Sequence, residues 1–405
     1  MTPLVLDISR LISRVGQGPH TGIDRVELAY FRHVLTCDRP VYFLCRLPKA
    51  FAILDADGGA RILEKVTGRT AWGTAGMFRF IAPGMSLAQQ RAVADIRRSA
   101  QIVTTRRLLA ARISRHFPAG VTYLNVGHSN LRQEVFDAVK AHEENRIIVF
   151  VHDIIPLSSP EFSTPAVAER FKADMVRVAR YADMVIYNSA VTQAAAEGFF
   201  ATTGPVPEGI VAHLGQDLPG LLMQAASSHP SFVALGTIEP RKNHALLLRL
   251  WQNMVETCDP ARIPVLHIIG RRGWNNANVF SILDNDPMMG KHVFEHKNLS
   301  DQDCRDLLAQ SWALLFPSHI EGFGLPLIEA AACGVPVICG ENAIYREILG
   351  NYPLYLNVDN SYAWQQGILE RAGRKRESEV DRQVRGRSVK IPDWNGHFDR
   401  IFRFV

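Results

Sequence analysis

Short apolar runs separated by longer amphipathic stretches constrain this chain more than any other feature. Runs at 4–8, 41–45, 122–126, 147–151, 184–187 and 210–213 have the length of buried strands, and the rhythm restarts at 232–235, 265–269, 313–316 and 335–338. Strands buried on both faces and alternating with helical segments make parallel sheets covered by helices. Between the two series lies Leu214-Gly-Gln-Asp-Leu-Pro-Gly220, then Ser227-Ser-His-Pro230, a turn-rich stretch suited to a linker. A chain of 405 residues is too long for one ordinary core and suits two. The expected fold class is α/β, in two halves.

One segment breaks the rhythm. Phe51-Ala-Ile-Leu-Asp-Ala-Asp-Gly-Gly-Ala-Arg-Ile-Leu-Glu64 alternates around Asp-Gly-Gly and predicts a β-hairpin. Its Asp55-Ala-Asp57 resembles a metal-binding pair, but a turn accounts for both aspartates and the later positions of a calcium loop are missing. No metal site is expected.

Charge and cysteine usage narrow the setting. Lys+Arg total 45 against 40 Asp+Glu, a net charge of +5. So mild an excess fits an enzyme of anionic substrates or one resting on an acidic membrane, and no nucleic-acid partner is expected. The six cysteines form no C-x-x-C pair, so free thiols in a reducing compartment are expected. The first residues lack a basic stretch followed by an apolar one, and no apolar run approaches the ~20 residues that span a bilayer. The expected location is cytoplasmic, free or peripheral to the membrane. From Arg91 to His116 there are seven arginines and one aspartate, with Ile96, Val103, Leu108, Leu109 and Ile113 among them. A basic amphipathic stretch of this kind can lie on anionic lipid, and reads equally as a solvated helix face.

The strongest chemistry lies at 316–334. A strand at 313–316 runs into Pro317-Ser318-His319, and Glu321-Gly-Phe-Gly324 makes a loop. Pro326 suits the first turn of a helix, where its missing N–H would be unpaired anyway. Gly334 suits a left-handed stop, with Pro336 beyond it. Gly322, Phe323, Gly324 and Leu325 then place backbone N–H groups at a helix N-terminus, which with the dipole favours a phosphate. Glu329, about one turn into the helix, can accept from both hydroxyls of a ribose. Glu321 precedes the nest, on the side where a transferred sugar would hang. Either glutamate alone reads as an ordinary loop or first-turn acid. Both, with Gly-Phe-Gly-Leu-Pro between them, read as a sugar-nucleotide site.

Three further clusters follow predicted strands. In Leu235-Gly-Thr-Ile-Glu-Pro-Arg-Lys-Asn243, adjacent Arg241 and Lys242 on a strand-to-helix loop can neutralise a departing diphosphate. In Gly16-Gln-Gly-Pro-His-Thr-Gly-Ile-Asp-Arg-Val-Glu27, Gly22 would open a helix near a ligand; the spacing departs from the G-x-G-x-x-G of a dehydrogenase. In Ile147-Ile-Val-Phe-Val-His152-Asp153, His152 ends a buried strand and is a candidate for contact with a sugar.

Together these residues resemble glycosyltransferase family 4, the retaining GT-B enzymes. The resemblance rests on the E-x7-E pair Glu321 and Glu329 within Pro-Ser-x-x-Glu-Gly-Phe-Gly-Leu-Pro, on Glu-Pro-Arg-Lys-Asn, and on Thr-Gly-Ile-Asp-Arg-Val. His-Asp-Ile-Ile-Pro and Ile-Ile-Gly-Arg-Arg-Gly-Trp274 look like bacterial mannosyl- and rhamnosyl-type members that build surface polysaccharide. It is strong from about 230 to 356 and patchier from 30 to 120. It implies two Rossmann-like domains facing a central cleft: an acceptor domain at 1–217, a donor domain at 218–385, and a terminal helix at 386–405 packing back on the first. It makes Arg241 and Lys242 a diphosphate clamp, and gives Glu321 and His152 to the sugar and Glu329 to the ribose. Gly22, Gly322, Phe323, Gly324 and Leu325 would bind the donor. The implied reaction moves a mannose- or rhamnose-like hexose from a nucleotide-diphosphate sugar to a glycan or lipid-linked oligosaccharide acceptor, with no cofactor and independently of metal. No carboxylate is obviously placed as a nucleophile, so same-face substitution is the simpler mechanism. A nucleotide-sugar epimerase or hydrolase on the same scaffold, and a non-catalytic sugar-nucleotide-binding scaffold, are the alternatives. Two departures stand out. Thr237 follows Gly236 where many members carry a basic residue, and 51–116 follows no family pattern.

Overall fold

The computed structural model describes residues 2–76, 84–216 and 224–405; positions 217–223, which include part of the expected linker, lie outside the described residues. The chain divides into two compact units, Met1–Leu214 with Trp394–Val405, and Gly215–Asp393.

The first unit is built on eight strands in the order β4-β3-β2-β1-β5-β6-β7-β8. They are β1 Leu4–Asp7, β2 Val41–Leu47, β3 Ala50–Leu54, β4 Ile102–Thr104, β5 Thr122–Asn125, β6 Arg146–Val151, β7 Met184–Tyr187 and β8 Glu208–Val211. Neighbours are parallel except β2 with β3 and β3 with β4. Within β6, Ile147 to Val151 are all fully buried, as a strand covered by helices on both faces must be. The chain leaves β1 for β2 on one side and returns to β5 on the other. Such a reversal is where open α/β sheets place ligands, beyond the carboxyl ends of the strands. The last helix, Trp394–Ile401, joins this unit. His397 Nδ1 donates to the His213 carbonyl at 2.9 Å, which leaves Nε2 to accept from the Tyr30 hydroxyl at 2.9 Å. Phe398 stacks on His33 with ring centres 3.9 Å apart.

The second unit has six parallel strands in the order β11-β10-β9-β12-β13-β14. They are β9 Ser231–Leu235, β10 Val265–Ile269, β11 Val293–His296, β12 Ala313–Phe316, β13 Val337–Gly340 and β14 Leu354–Leu356. The reversal falls between β9 and β12, the strands that carry Arg241, Lys242 and Glu321 just past their ends. Both units are therefore Rossmann-like.

Two expectations are corrected. Asp-Gly-Gly at 57–59 is no hairpin turn: it lies inside the helix Ala56–Val66, and Asp55 is the N-cap, accepting from Gly58 N–H at 2.8 Å. The glycines serve packing. A Cβ on Gly59 would sit 2.2 Å from Phe43 Cε2, and one on Gly58 2.6 Å from the Ser99 carbonyl. Close approach of the helix to β2 outweighs the ~1 kcal/mol that each glycine costs a helix. The real hairpin joins β2 to β3 through Pro48-Lys49, with Lys49 at φ +60°. The stretch from Arg91 to His116 is likewise not one face. It comprises the end of the helix Leu87–Ser99, strand β4, a 3-10 turn Arg106–Leu108 and the helix Leu109–His116. Ile96, Leu109 and Ile113 are buried in the core, while Val103 and Leu108 stay exposed.

Candidate active site

Two loops meet at the carboxyl ends of β9 and β12. After β9 the chain passes Gly236, makes the 3-10 turn Pro240–Lys242, and enters the helix His244–Thr257 through Asn243 at φ +54°. After β12 it passes 317–324 and starts the helix Leu325–Ala332 from Gly324 at φ +89°. The loops are stitched through backbone carbonyls: His319 N–H donates to the Arg241 carbonyl at 2.9 Å, and the Arg241 side chain donates from Nη1 to the Ile320 carbonyl at 3.1 Å.

Glu321 sits at their junction, 7% exposed. Its Oε2 lies 2.6 Å from Arg241 Nη1 and its Oε1 2.5 Å from Lys242 Nζ. Burial by itself would raise the Glu321 carboxyl; the Arg241 and Lys242 charges and their hydrogen bonds outweigh it and hold it at about 2. Glu321 is thus ionised throughout the physiological range. Burial also lowers the Lys242 ammonium despite Glu321 beside it. Desolvation of Lys242 thus offsets part of what the two cations give Glu321. The net stabilisation is therefore smaller than the glutamate shift suggests. Lys242 Nζ also lies 4.7 Å from the centre of the Phe316 ring. Glu239 grips Arg241 from the other side, at 2.8 Å from Nη2. Its place two residues before Arg241 is the one signal of this role in the sequence.

The helix Leu325–Ala332 has no side chain capping its start, and Pro326 lies in its first turn. Glu329 is half-buried, on the same short helix. The helix stops at Gly334, where φ is +63° and a Cβ would lie 2.0 Å from the Arg382 carbonyl. Conformation and space both demand glycine there. Of the expected site residues, then, Arg241, Lys242 and Glu321 touch, and Gly322, Phe323, Gly324, Leu325 and Glu329 continue from them along the chain.

His152 and Gly22 lie in the first unit. His152 directly follows β6, buried, with its ring stacked on Phe150 at 4.4 Å. Burial first, then the neighbouring His128, pushes its pKa well below the ordinary histidine range, so it is neutral. Gly22 opens the helix Gly22–Val34 as expected, but that start is already occupied. Thr21 caps it, and the Asp24 carboxylate accepts from Thr21 N–H at 2.8 Å while pairing with Arg10 at 2.6 Å and Arg14 at 3.0 Å. Among the described residues no group of three or more His, Cys, Asp and Glu side chains is arranged to hold a metal ion. No described helix is long and apolar enough to cross a membrane.

Residues 224–369 match the family described as glycosyl transferases group 1. A serotype-specific mannosyltransferase of Escherichia coli is 34% identical over 225 residues, covering 51% of this chain and 27% of its own length. The O-antigen chain mannosyltransferase B of Escherichia coli is 33% identical over 137 residues, 34% of this chain and 35% of its own. This chain thus spans only about a quarter to a third of the length of these curated relatives. Sucrose-phosphate synthase from Thermosynechococcus elongatus shares the fold with a TM-score of 0.64 at 13% identity, over 100% of this chain and 98% of its own. A lipopolysaccharide outer core galactosyltransferase does so at 0.58 and 13%, over the whole of both chains. The chain therefore has the GT-B fold of two Rossmann-like units, and its residues 224–369 match the glycosyl transferases group 1 family.

Proposed function

We propose that this chain is a retaining glycosyltransferase of family 4. It moves a mannose- or rhamnose-like hexose from a nucleotide-diphosphate sugar to a glycan or lipid-linked acceptor, in the synthesis of bacterial surface polysaccharide. The observation that carries the reading is the buried Glu321 held between half-buried Arg241 and Lys242, beside a helix start whose N-cap, Gly324, has no side chain. The names of curated relatives, a serotype-specific mannosyltransferase and two O-antigen chain mannosyltransferases, support the sugar and the setting.

In this reading the diphosphate rests on the start of the helix Leu325–Ala332, and Glu329 accepts from the ribose hydroxyls. The bond from the anomeric carbon to phosphate oxygen breaks, and the acceptor oxygen bonds to the same face of that carbon. The acceptor's proton passes to the departing phosphate oxygen. Arg241 and Lys242 neutralise the charge that grows there, already oriented by Glu321, so little reorganisation is needed as the bond breaks. These two cations do the work a divalent ion would do, and chelation is expected to leave activity intact. Glu321 and neutral His152 contact the sugar. The enzyme works in the cytoplasm. Exposed Arg106, Arg107, Arg112 and Arg115, beside exposed Val103 and Leu108, give it an anionic membrane to rest on.

The test incubates the full chain with a panel of nucleotide-diphosphate hexoses and glycan or lipid-linked acceptors, reading the anomeric configuration of the product by NMR. A product with the donor's configuration supports the proposal. An inverted product overturns the mechanism, free sugar or epimer released without acceptor makes it a hydrolase or epimerase, and donor binding without turnover makes it a scaffold.

A further inference from the structure

The first unit contains a buried polar network that the site above does not use, and it ends on His152. Asp7, the last residue of β1, is 2% exposed. Its Oδ1 accepts from Ser9 N–H at 2.9 Å; its Oδ2 accepts from the Tyr123 hydroxyl at 2.7 Å and from Asn130 Nδ2 at 2.7 Å. All three partners donate, which suits an ionised carboxylate with only acceptor sites. Glu27, buried close by, is pushed well above the usual carboxyl range by burial first and then by Asp7, and burial raises Asp7 as well, against the bonds from Asn130, Ser9 and Tyr123. Asn125 Nδ2 extends the network, donating to Tyr123 Oη at 3.0 Å and to the Ser129 carbonyl at 2.7 Å.

The turn at 126–131 is pinned at Ser129 and Asn130 by these bonds, and its backbone is unusual. His128 and Asn130 have φ of +51° and +66°, in the left-handed region that residues other than glycine rarely enter. Such conformations persist only where surrounding contacts over-determine them, and they concentrate at functional sites. Here the contacts are those of Asp7, Tyr123 and Asn125.

The turn in turn fixes His152. Its backbone N–H donates to His128 Nε2 at 3.2 Å, and its carbonyl accepts from Asn188 Nδ2 at 2.7 Å. Its ring Nε2 lies 2.7 Å from the Val126 carbonyl, which can only accept. The imidazole proton must therefore sit on Nε2, leaving the lone pair on Nδ1.

We propose that Asp7 is a positioning residue. Through Tyr123 and Asn130 it fixes the turn at 126–131, which holds His152 in the Nε2–H form with Nδ1 offered as acceptor to a hydroxyl of the sugar substrate. This rests on the glycosyl-transfer reading for its last step only.

The test uses the full chain with 15N-labelled histidine, identifying the His152 signals by their loss in His152→Gln. Two variants are compared. Asp7→Asn keeps the shape but turns one acceptor into a donor. Asn130→Gly keeps the left-handed backbone, which glycine adopts freely, and removes only the bond to Asp7. In the wild type His152 shows the Nε2–H tautomer alone. In the variants the second tautomer emerges, and kcat falls at least tenfold while the donor KM changes less than twofold. His152 signals unchanged in folded Asn130→Gly overturn the proposal, as does a changed tautomer with wild-type kcat. Should Asp7→Asn fail to fold, Asn130→Gly decides. If the wild type transfers nothing with any donor, the function proposed above fails, while the imidazole signals still decide whether Asp7 fixes His152.

Discussion

Each unit begins a helix just after a glycine-bearing loop, and the two starts are finished in opposite ways. At Gly22 the chain supplies its own anion: Thr21 caps the helix, and buried Asp24 takes the Thr21 N–H together with Arg10 and Arg14. At Leu325 no side chain caps the start, and the nearby carboxylate, Glu321, is bound up with Arg241 and Lys242. Both ends carry the same backbone dipole. The first start has an internal carboxylate and a capping hydroxyl, whereas at the second the carboxylate is turned to two cations and the N-cap, Gly324, offers no side chain. A glycine-rich loop before a helix is therefore a poor guide to a phosphate site unless the residues capping that helix are known.

The comparison can be broken by substitution. If the proposed diphosphate site is right, Arg241→Ala should lower kcat about 10²–10³-fold. Arg10→Ala removes a cation engaged with an internal acid and should cost stability without a fall of that size. Equal losses of kcat, measured with the donor found above, would erase the distinction between the two starts. At the first start, Asp24→Ala leaves Arg10 and Arg14 facing each other with nothing between them. The expected loss is about 3 kcal/mol by urea unfolding, the cost of breaking a largely buried ion pair.

Acid sharpens the same contrast by a smaller amount. The Glu321 carboxyl is held at about 2 in the folded chain, against 4.5 for an ordinary glutamate. As pH falls below about 4.5 the unfolded chain takes up this proton first, so the stabilisation present above that pH is lost progressively towards 2. Comparing wild type with Glu321→Gln by urea unfolding across this range isolates the contribution. The difference should be constant above pH ~5, narrow below it, and not exceed about 3 kcal/mol, since burial of Lys242 opposes it. A difference that widened on acidification would contradict the assigned pairing. The smallest effect concerns the membrane. Arg106→Glu with Arg107→Glu should weaken binding to anionic liposomes and leave transfer to a soluble acceptor unchanged; unchanged liposome binding would remove that surface from the proposal.

Much of this was legible in the sequence because it depends on local pattern. The apolar run ending in His152 could only be a strand buried on both faces, and Pro326 with Gly334 bracketed a helix by backbone chemistry alone. What stayed hidden depends on contacts between distant residues. Asp-Gly-Gly at 57–59 has the composition of a turn, and only the Phe43 ring beneath Gly59 explains why it is helical. Strands β4, β11 and β14 are short and partly exposed, so they carry little apolar signal. The bonds of Asp7 span 116 residues to Tyr123 and 123 to Asn130, a range at which sequence spacing says nothing.

The claim that the second helix start is the nucleotide site is tested most directly by calorimetric titration of the full chain with nucleoside diphosphates. One diphosphate should bind the wild type, with its affinity falling steeply in Arg241→Ala/Lys242→Ala and staying within twofold in Arg10→Ala. Binding that survives the loss of Arg241 and Lys242, or that is lost with Arg10 instead, would contradict the account.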